Sequence, residues 1–134
     1  MDNNLSRFVL PGIAAVAFVF GLTTIFSGGQ VLFGDRAVRV AAGNYTPFVV
    51  WFNFLAGFAY VAAALGLARG RRWAASLSFW IAAATALTFV YFGLFVLIGT
   101  PFEMRTVGAM TLRTALWAGI AWFAGRQLVG RYVR

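Results

Sequence analysis

The sequence contains no cysteine, no histidine and no lysine, and it has only three carboxylate side chains. Without cysteine there are no disulfides, no thiol redox chemistry and no cysteine-bound iron–sulfur cluster. Without histidine the chain lacks the commonest ligand of haem, zinc and copper, and also the commonest general base. We therefore expect no tightly held metal or cofactor, and no catalytic constellation is recognisable.

The chain has few charged residues, and most of them are positive. Charged residues make up 10% of the chain, hydrophobic residues make up 62%, and the formal net charge is +8. In a soluble protein such a basic excess would indicate nucleic-acid binding. Here most arginines lie at the ends of long apolar runs, where membrane topology explains them better. We expect a protein embedded in a lipid bilayer, with no nucleic-acid partner.

Four apolar runs are long enough to cross a bilayer, which takes about 20 residues of helix. The sequence therefore predicts an all-α membrane protein, a bundle of four transmembrane helices that forms one domain over residues 1–134. Arg7 and the first run also resemble a signal peptide, but we interpret them as an uncleaved signal-anchor helix. Ser27, Gly28 and Gly29 are predicted to end this helix. The predicted spans are residues 8–26, 46–68, 73–99 and 104–125.

Arginine is distributed unequally between the two ends of the predicted bundle. Because cytoplasmic loops carry an excess of arginine, both termini are predicted to be cytoplasmic, in a bacterial inner membrane. The same bias argues against a small dual-topology transporter, which needs nearly balanced loops. The end with both termini holds Arg7, Arg69, Arg71, Arg72, Arg126, Arg131 and Arg134, whereas the other holds Arg36, Arg39 and Arg105, partly offset by Asp35 and Glu103.

Small residues recur at helical spacing in every predicted span, as in Ala74, Ser78 and Ala82 or in Ala115 and Gly119. In lipid, such faces allow helices to approach closely. They predict a compact bundle, and they leave open that one face binds a partner protein. Aromatic residues are also abundant, with 15 Phe, 5 Trp and 4 Tyr. These rings can face lipid, fill the core or contact a flat apolar ligand such as a quinone.

The stretch "PFEMRTVGAMTLRTALW", residues 101–117, brings three charged residues to the start of the fourth predicted span. Arg113 lies roughly 10 Å inside that span, at about 1.5 Å per residue. A charge at this depth is costly unless it has a partner or reaches the surface. We predict a polar cluster of Arg113, Glu103, Asn53 and Tyr91, with Arg105 nearby, as a ligand or partner site. The alternative is that Glu103 and Arg105 are interfacial anchors and Arg113 forms a structural ion pair.

Two stretches, "GNYTPFVVWFNFLAGFAYVAAALGLARGRRWA" and "EMRTVGAM", resemble segments of small bacterial four-helix membrane proteins. The overall plan is similar to the broad DoxX-like group. This resemblance implies a four-helix fold. The group is functionally mixed, and some members are linked to quinone-coupled sulfur oxidation. This chain has no cysteine or histidine, which argues against redox chemistry of its own, and no catalytic residue carries over to it.

Three functions remain open at this point. Short loops, small-residue faces and the lack of catalytic groups favour a non-catalytic accessory or interaction subunit of a membrane complex, in contact with other subunits or with itself. The second is a binding protein or redox auxiliary for a lipophilic molecule, such as a quinone or a lipid, whose polar head contacts Arg113, Glu103 and Asn53. The third is a small transporter.

Overall fold

The computed structural model describes residues 3–130, and it describes side chains from residue 8 onward. Within this range all regular structure is helical, which confirms the all-α prediction. Arg131 and Arg134, and the side chain of Arg7, lie outside the described residues. The helices are α1 (Asn3–Phe33), α2 (Arg36–Ala42), α3 (Pro47–Ala68), α4 (Arg72–Leu97) and α5 (Met104–Ala124), and a π-helical segment, Gly125–Val129, comes after α5.

Three helices in the described part of the chain are long and apolar enough to cross a membrane. They cover Phe8–Phe33, Pro47–Ala68 and Arg72–Leu97, and they indicate a membrane protein. Helix α5 has the length of a span but a lower hydropathy, because two arginines and three threonines interrupt it. Three of the four predicted spans therefore correspond to helices that are long and apolar enough to cross a membrane, and the fourth stays a prediction.

The long helices pack in pairs that follow the order of the chain. Helix α1 packs along α3, α3 packs against α4, and α4 packs along α5. Since consecutive long helices run antiparallel, α2 and the turn over residues 98–103 lie together at one end of the bundle. We call this the α2 end. The turn over residues 69–71, between α3 and α4, lies at the opposite end.

The interior is built from small side chains, and the large apolar side chains face outward. Ala17, Ala63 and Ala74 are fully buried, whereas Phe8 and Leu97 are both 82% exposed. This distribution suits a lipid solvent, in which helices gain most from close contact and exposed apolar rings cost nothing. A few large side chains are also fully buried, among them Phe92 and the pair Tyr60 and Trp117, whose ring centroids lie 4.8 Å apart.

Helix α1 does not end at Ser27–Gly29 as the sequence predicted, but continues to Phe33. The reason is that glycine serves here for close packing against α3. A Cβ added to Gly28 would lie 3.0 Å from Phe54 Cβ. Farther from the α2 end, in the same interface, Gly21 packs against Gly57. A Cβ added to Gly21 would lie 3.1 Å from the Gly57 carbonyl oxygen. Glycine is tolerated inside a membrane helix when a neighbouring helix packs against it.

The connection between α1 and α3 contains a helix that the sequence pattern did not predict. Helix α2 begins after Asp35, whose carboxylate accepts a hydrogen bond from the Val38 N–H at 3.2 Å. It ends at Gly43, which has a φ of 69° that favours glycine. The bounds of α3, α4 and α5 agree with the predicted spans to within about two residues.

The α1–α3 contact gives a first prediction. At Gly57 an added Cβ would lie 2.6 Å from Ile25 Cγ1 and 3.2 Å from the Gly21 carbonyl oxygen. We expect Gly57→Ala to lower the free energy of unfolding by about 1–3 kcal/mol through overpacking. Denaturant titration in mixed detergent micelles measures this change.

The matched control is Gly108→Ala on α5, where an added Cβ meets nothing within 4 Å. There we expect no loss, or a gain of up to about 1 kcal/mol from helix propensity. Equal effects of the two substitutions would contradict the close α1–α3 contact.

Candidate ligand-binding site

A cavity of about 220 Å³ lies at the α2 end of the bundle, between α1, α3 and α5. Because α1 packs along α3 and α5 packs along α4, the cavity occupies the space between these two helix pairs. Its walls combine apolar and polar side chains. They are Thr24, Ser27, Gly28 and Val31 from α1, Ala42, Tyr45 and Thr46 from the connection, Val49, Val50 and Asn53 from α3, and Glu103, Arg105, Thr106, Ala109 and Arg113 from α5 and its N-cap.

Arg113 projects from α5 into this cavity and is partly buried. Its Nη2 donates a long hydrogen bond, 3.4 Å, to Thr24 Oγ1. Its guanidinium carbon lies 5.4 Å from the centroid of the Phe20 ring, a cation–π contact. Its Nε has no hydrogen-bond partner. Among the described side chains no carboxylate pairs with Arg113, so the predicted structural ion pair is not formed within this part of the chain.

Glu103 and Arg105 line the cavity, but their polar groups are used to hold the backbone of the α2 end. Glu103 Oε1 accepts a hydrogen bond from the Asn44 N–H at 2.8 Å. Arg105 Nη2 donates to the Ala41 carbonyl at 3.1 Å and to the Ala42 carbonyl at 3.4 Å. Both residues therefore fasten the end of α2 to the start of α5.

Asn53 and Tyr91, the other two residues of the predicted cluster, have different positions. Asn53 lines the cavity, and its Nδ2 makes only a weak hydrogen bond to Met110 Sδ at 3.8 Å. Its Oδ1 is buried and has no partner. Tyr91 is 53% exposed on the outside of α4, where it packs edge-on against Phe48 at 5.2 Å. The structure thus places Asn53 and Arg113 in the lining of the same cavity and leaves Tyr91 apart.

Three buried polar groups beneath the cavity were missed by the sequence reasoning. Tyr60 OH, Thr85 Oγ1 and Trp117 Nε1 are all buried without a hydrogen-bond partner. The Tyr60 hydroxyl lies close to Thr85 and to the Arg113 guanidinium. Polar tips halfway along apolar helices were the available signal. Nothing in the spacing of one helix, however, indicates which residue of another helix it meets.

Together these residues form a polar interior suited to binding. Five of their polar atoms are buried without a hydrogen-bond partner, and two of these, Arg113 Nε and Asn53 Oδ1, belong to side chains that line the cavity. Buried polar groups are normally satisfied, so these two atoms are free to hydrogen-bond to a polar molecule in the cavity. In the described residues no group of three or more His, Cys, Asp or Glu side chains is placed to hold a metal ion.

No protein family, no curated protein and no solved structure matches this chain. The similarity to the DoxX-like group therefore stays a prediction. The geometry of the cavity is the remaining guide to the function of the protein.

The environment of Arg113 gives a second prediction. A buried charge without a counter-charge destabilises the fold, and a flexible apolar side chain of similar length avoids that cost. We expect Arg113→Met to raise the free energy of unfolding by about 1–3 kcal/mol in detergent without added ligand. Thermal unfolding followed by circular dichroism measures the change.

Arg105→Met is the control, because it removes an arginine of the same helix that donates to two backbone carbonyls. We expect this variant to be less stable than the unmodified chain by about 1 kcal/mol. A loss of stability in both variants would show that Arg113 stabilises the fold on its own.

Proposed function

We propose that this protein binds a lipophilic small molecule whose polar head accepts hydrogen bonds, in the cavity between α1, α3 and α5. The observation that carries the proposal is Arg113, a partly buried guanidinium with no carboxylate partner among the described residues, which lines a cavity inside an apolar bundle. Arginine within a membrane helix marks a functional site by default, because its burial is costly.

The chemistry of the cavity supports a ligand that is polar at one end only. Arg113 Nε and the Asn53 amide can hydrogen-bond to a head group. The side chains of Val31, Val49 and Val50 offer apolar walls for the remainder of the molecule. Ligand sites usually have this composition, with mostly apolar walls and a few placed polar groups that set orientation. Quinones, with a carbonyl-bearing ring and an apolar tail, belong to this class of ligand.

We further propose that α5 is a fourth span, in a bacterial inner membrane, with both termini cytoplasmic. Helix α5 has 21 residues, or about 31 Å at 1.5 Å per residue, which suffices for the hydrocarbon core. Arg69, Arg71 and Arg72 lie at the turn opposite the α2 end, which supports a cytoplasmic location for that end. In this orientation the cavity lies in the periplasmic half of the bundle.

A quinone probe provides the test. We expect decylubiquinone to quench the tryptophan fluorescence of the purified protein with saturation, and Arg113→Met to weaken binding about tenfold, the size of one lost charged hydrogen bond. Arg126→Met is the control, since Arg126 stacks on Trp122 at 5.0 Å, at the other end of the bundle. Equal affinities for the two variants would refute a role of Arg113 in binding.

A second candidate function is that of an accessory subunit, and one face of α5 favours it. Ala115 and Gly119 were predicted to promote helix packing, but both are exposed. A Cβ added to Gly119, or to Gly108 on the same helix, meets nothing within 4 Å. An outward face with small residues is what a transmembrane helix of a partner protein would pack against.

This candidate predicts that Gly119→Leu disrupts an association without disturbing the fold. An added side chain at Gly119 meets no neighbour within the chain, so a loss of association would reflect a partner helix. Gly93→Leu on α4 is the matched control, because Gly93 is also free of neighbours within 4 Å. Co-purification after cross-linking in native membranes measures the association. Identical cross-linked products for both variants would count against a partner on this face.

A further inference from the structure

The charges around the cavity do not balance. Arg113 and Arg105 line it together with one carboxylate, Glu103, which accepts a hydrogen bond from the Asn44 N–H at 2.8 Å. The other described carboxylate, Asp35, accepts from the Val38 N–H at the start of α2. Neither carboxylate pairs with Arg113. The described part of the chain therefore supplies a positive charge to the cavity without supplying its counter-charge.

We propose that the cavity binds an anionic head group, a carboxylate or a phosphate on an apolar chain, with Arg113 as its counter-charge. This inference rests on the proposed function and narrows the class of ligand. A neutral head would satisfy the hydrogen bonds of the guanidinium but leave its charge uncompensated in the bundle. An anion satisfies both, and a buried charge is most costly when it is unpaired.

The guanidinium is held ready for such a ligand. The Thr24 hydroxyl donates to the Phe20 carbonyl at 2.7 Å, so its lone pairs face Arg113 and accept from Nη2. The Phe20 ring supports the guanidinium at 5.4 Å. An arginine carries five N–H donors in a planar fork, and carboxylate and phosphate oxygens fit that fork in pairs. Thr24 accepts a long hydrogen bond from Nη2 and the Tyr60 hydroxyl lies nearby, whereas Nε has no partner and can donate to an anion.

Of the two arginines at the cavity, Arg113 is the one expected to bind the anion. Nη2 of Arg105, the other cation at the cavity, donates to the carbonyls of Ala41 and Ala42. Asn53 can add one donor, because its Nδ2 makes only the weak contact to Met110 Sδ at 3.8 Å. Since Asn53 offers both a donor and an acceptor, it does not by itself distinguish an anionic head group from a neutral one. Arg113 does distinguish them, because it carries a positive charge.

The depth of Arg113 favours an amphiphile over a soluble ion. Arg113 lies ten residues after Glu103 in the chain, about 15 Å along α5. A small hydrated anion would lose its water shell to reach this depth, whereas Val31, Val49 and Val50 give an apolar chain favourable contacts on the way. Helices α1 and α5 pack mainly against other helices, so the gap between them offers a chain an exit toward lipid.

The test compares two probes with the same tail. Dodecanoate and dodecanol differ only in the charge and shape of the head, and dodecanoate is largely ionised at about pH 8. Native mass spectrometry of the full chain in a non-ionic detergent counts the bound molecules over a concentration series. We expect dodecanoate to bind about tenfold more tightly than dodecanol. Dodecyl phosphate, added as a third probe, separates a preference for lipid-type phosphates from one for fatty-acid carboxylates.

Two variants at Arg113 test whether its charge sets the preference. Arg113→Lys keeps the charge and is expected to retain the preference for dodecanoate, whereas Arg113→Gln is expected to abolish it. Arg126→Gln serves as a control away from the cavity and should bind as the unmodified chain does. Since the comparison of the two probes needs only the unmodified chain, it remains decisive even if a variant fails to fold.

The outcomes separate this inference from the proposed function. Equal binding of dodecanoate and dodecanol would overturn the anion inference and leave a binding site for neutral ligands. A failure of dodecanoate, dodecanol and decylubiquinone alike to bind would overturn the proposed function itself. If Arg113→Gln still prefers dodecanoate over dodecanol, another residue binds the anion, and the assignment to Arg113 is overturned.

Discussion

One guanidinium inside an apolar bundle constrains much of the polar chemistry of this protein. Arg113 contacts Thr24 of α1 and Phe20 of the same helix, and it lies close to Tyr60 of α3. In water such a side chain would be solvated at no cost, but in a membrane protein its surroundings must supply hydrogen bonds and charge. The cavity lies between α1, α3 and α5, and Arg113 shares its lining with other polar side chains, among them Thr24 and Asn53.

The close contact of α1 with α3 makes that arrangement possible. Where Gly21 faces Gly57 the two backbones approach each other so closely that an added Cβ at Gly57 would lie 3.2 Å from the Gly21 carbonyl oxygen. No comparable face of α1 packs along α5 in the described residues, so space remains at the α2 end. Glu103 and Arg105 cover that end by binding the backbone beside Gly43. Close packing on one side of α1 and a cavity on the other are two consequences of where the small residues stand.

Several parts of this architecture could be predicted from sequence because they depend on composition along one segment. Apolar runs of membrane length place α3 and α4, and arginine at depth singles out Arg113. The prediction that the first helix ends at Ser27–Gly29 was wrong. Glycine breaks an isolated helix, but it permits close contact when another helix packs against it. Glu103 was predicted to join Arg113 in a polar cluster. Both residues line the cavity, but the Glu103 carboxylate accepts a hydrogen bond from the Asn44 N–H.

The sequence by itself determined the solvent of this protein, its helical class and the charged residue whose burial is costly, since each depends on local hydropathy, length and charge. Tertiary structure alone decided which groups surround Arg113. Hydrogen bonds and ion pairs between helices depend on how each helix is rotated about its axis and how deep each residue lies along it. Contacts between small residues elsewhere in the bundle, such as Gly21 with Gly57, determine both. For this reason the spacing within one helix did not predict that Tyr60, Thr85 and Trp117 bury their polar groups in the interior, whereas Tyr91, on the same helix as Thr85, faces outward.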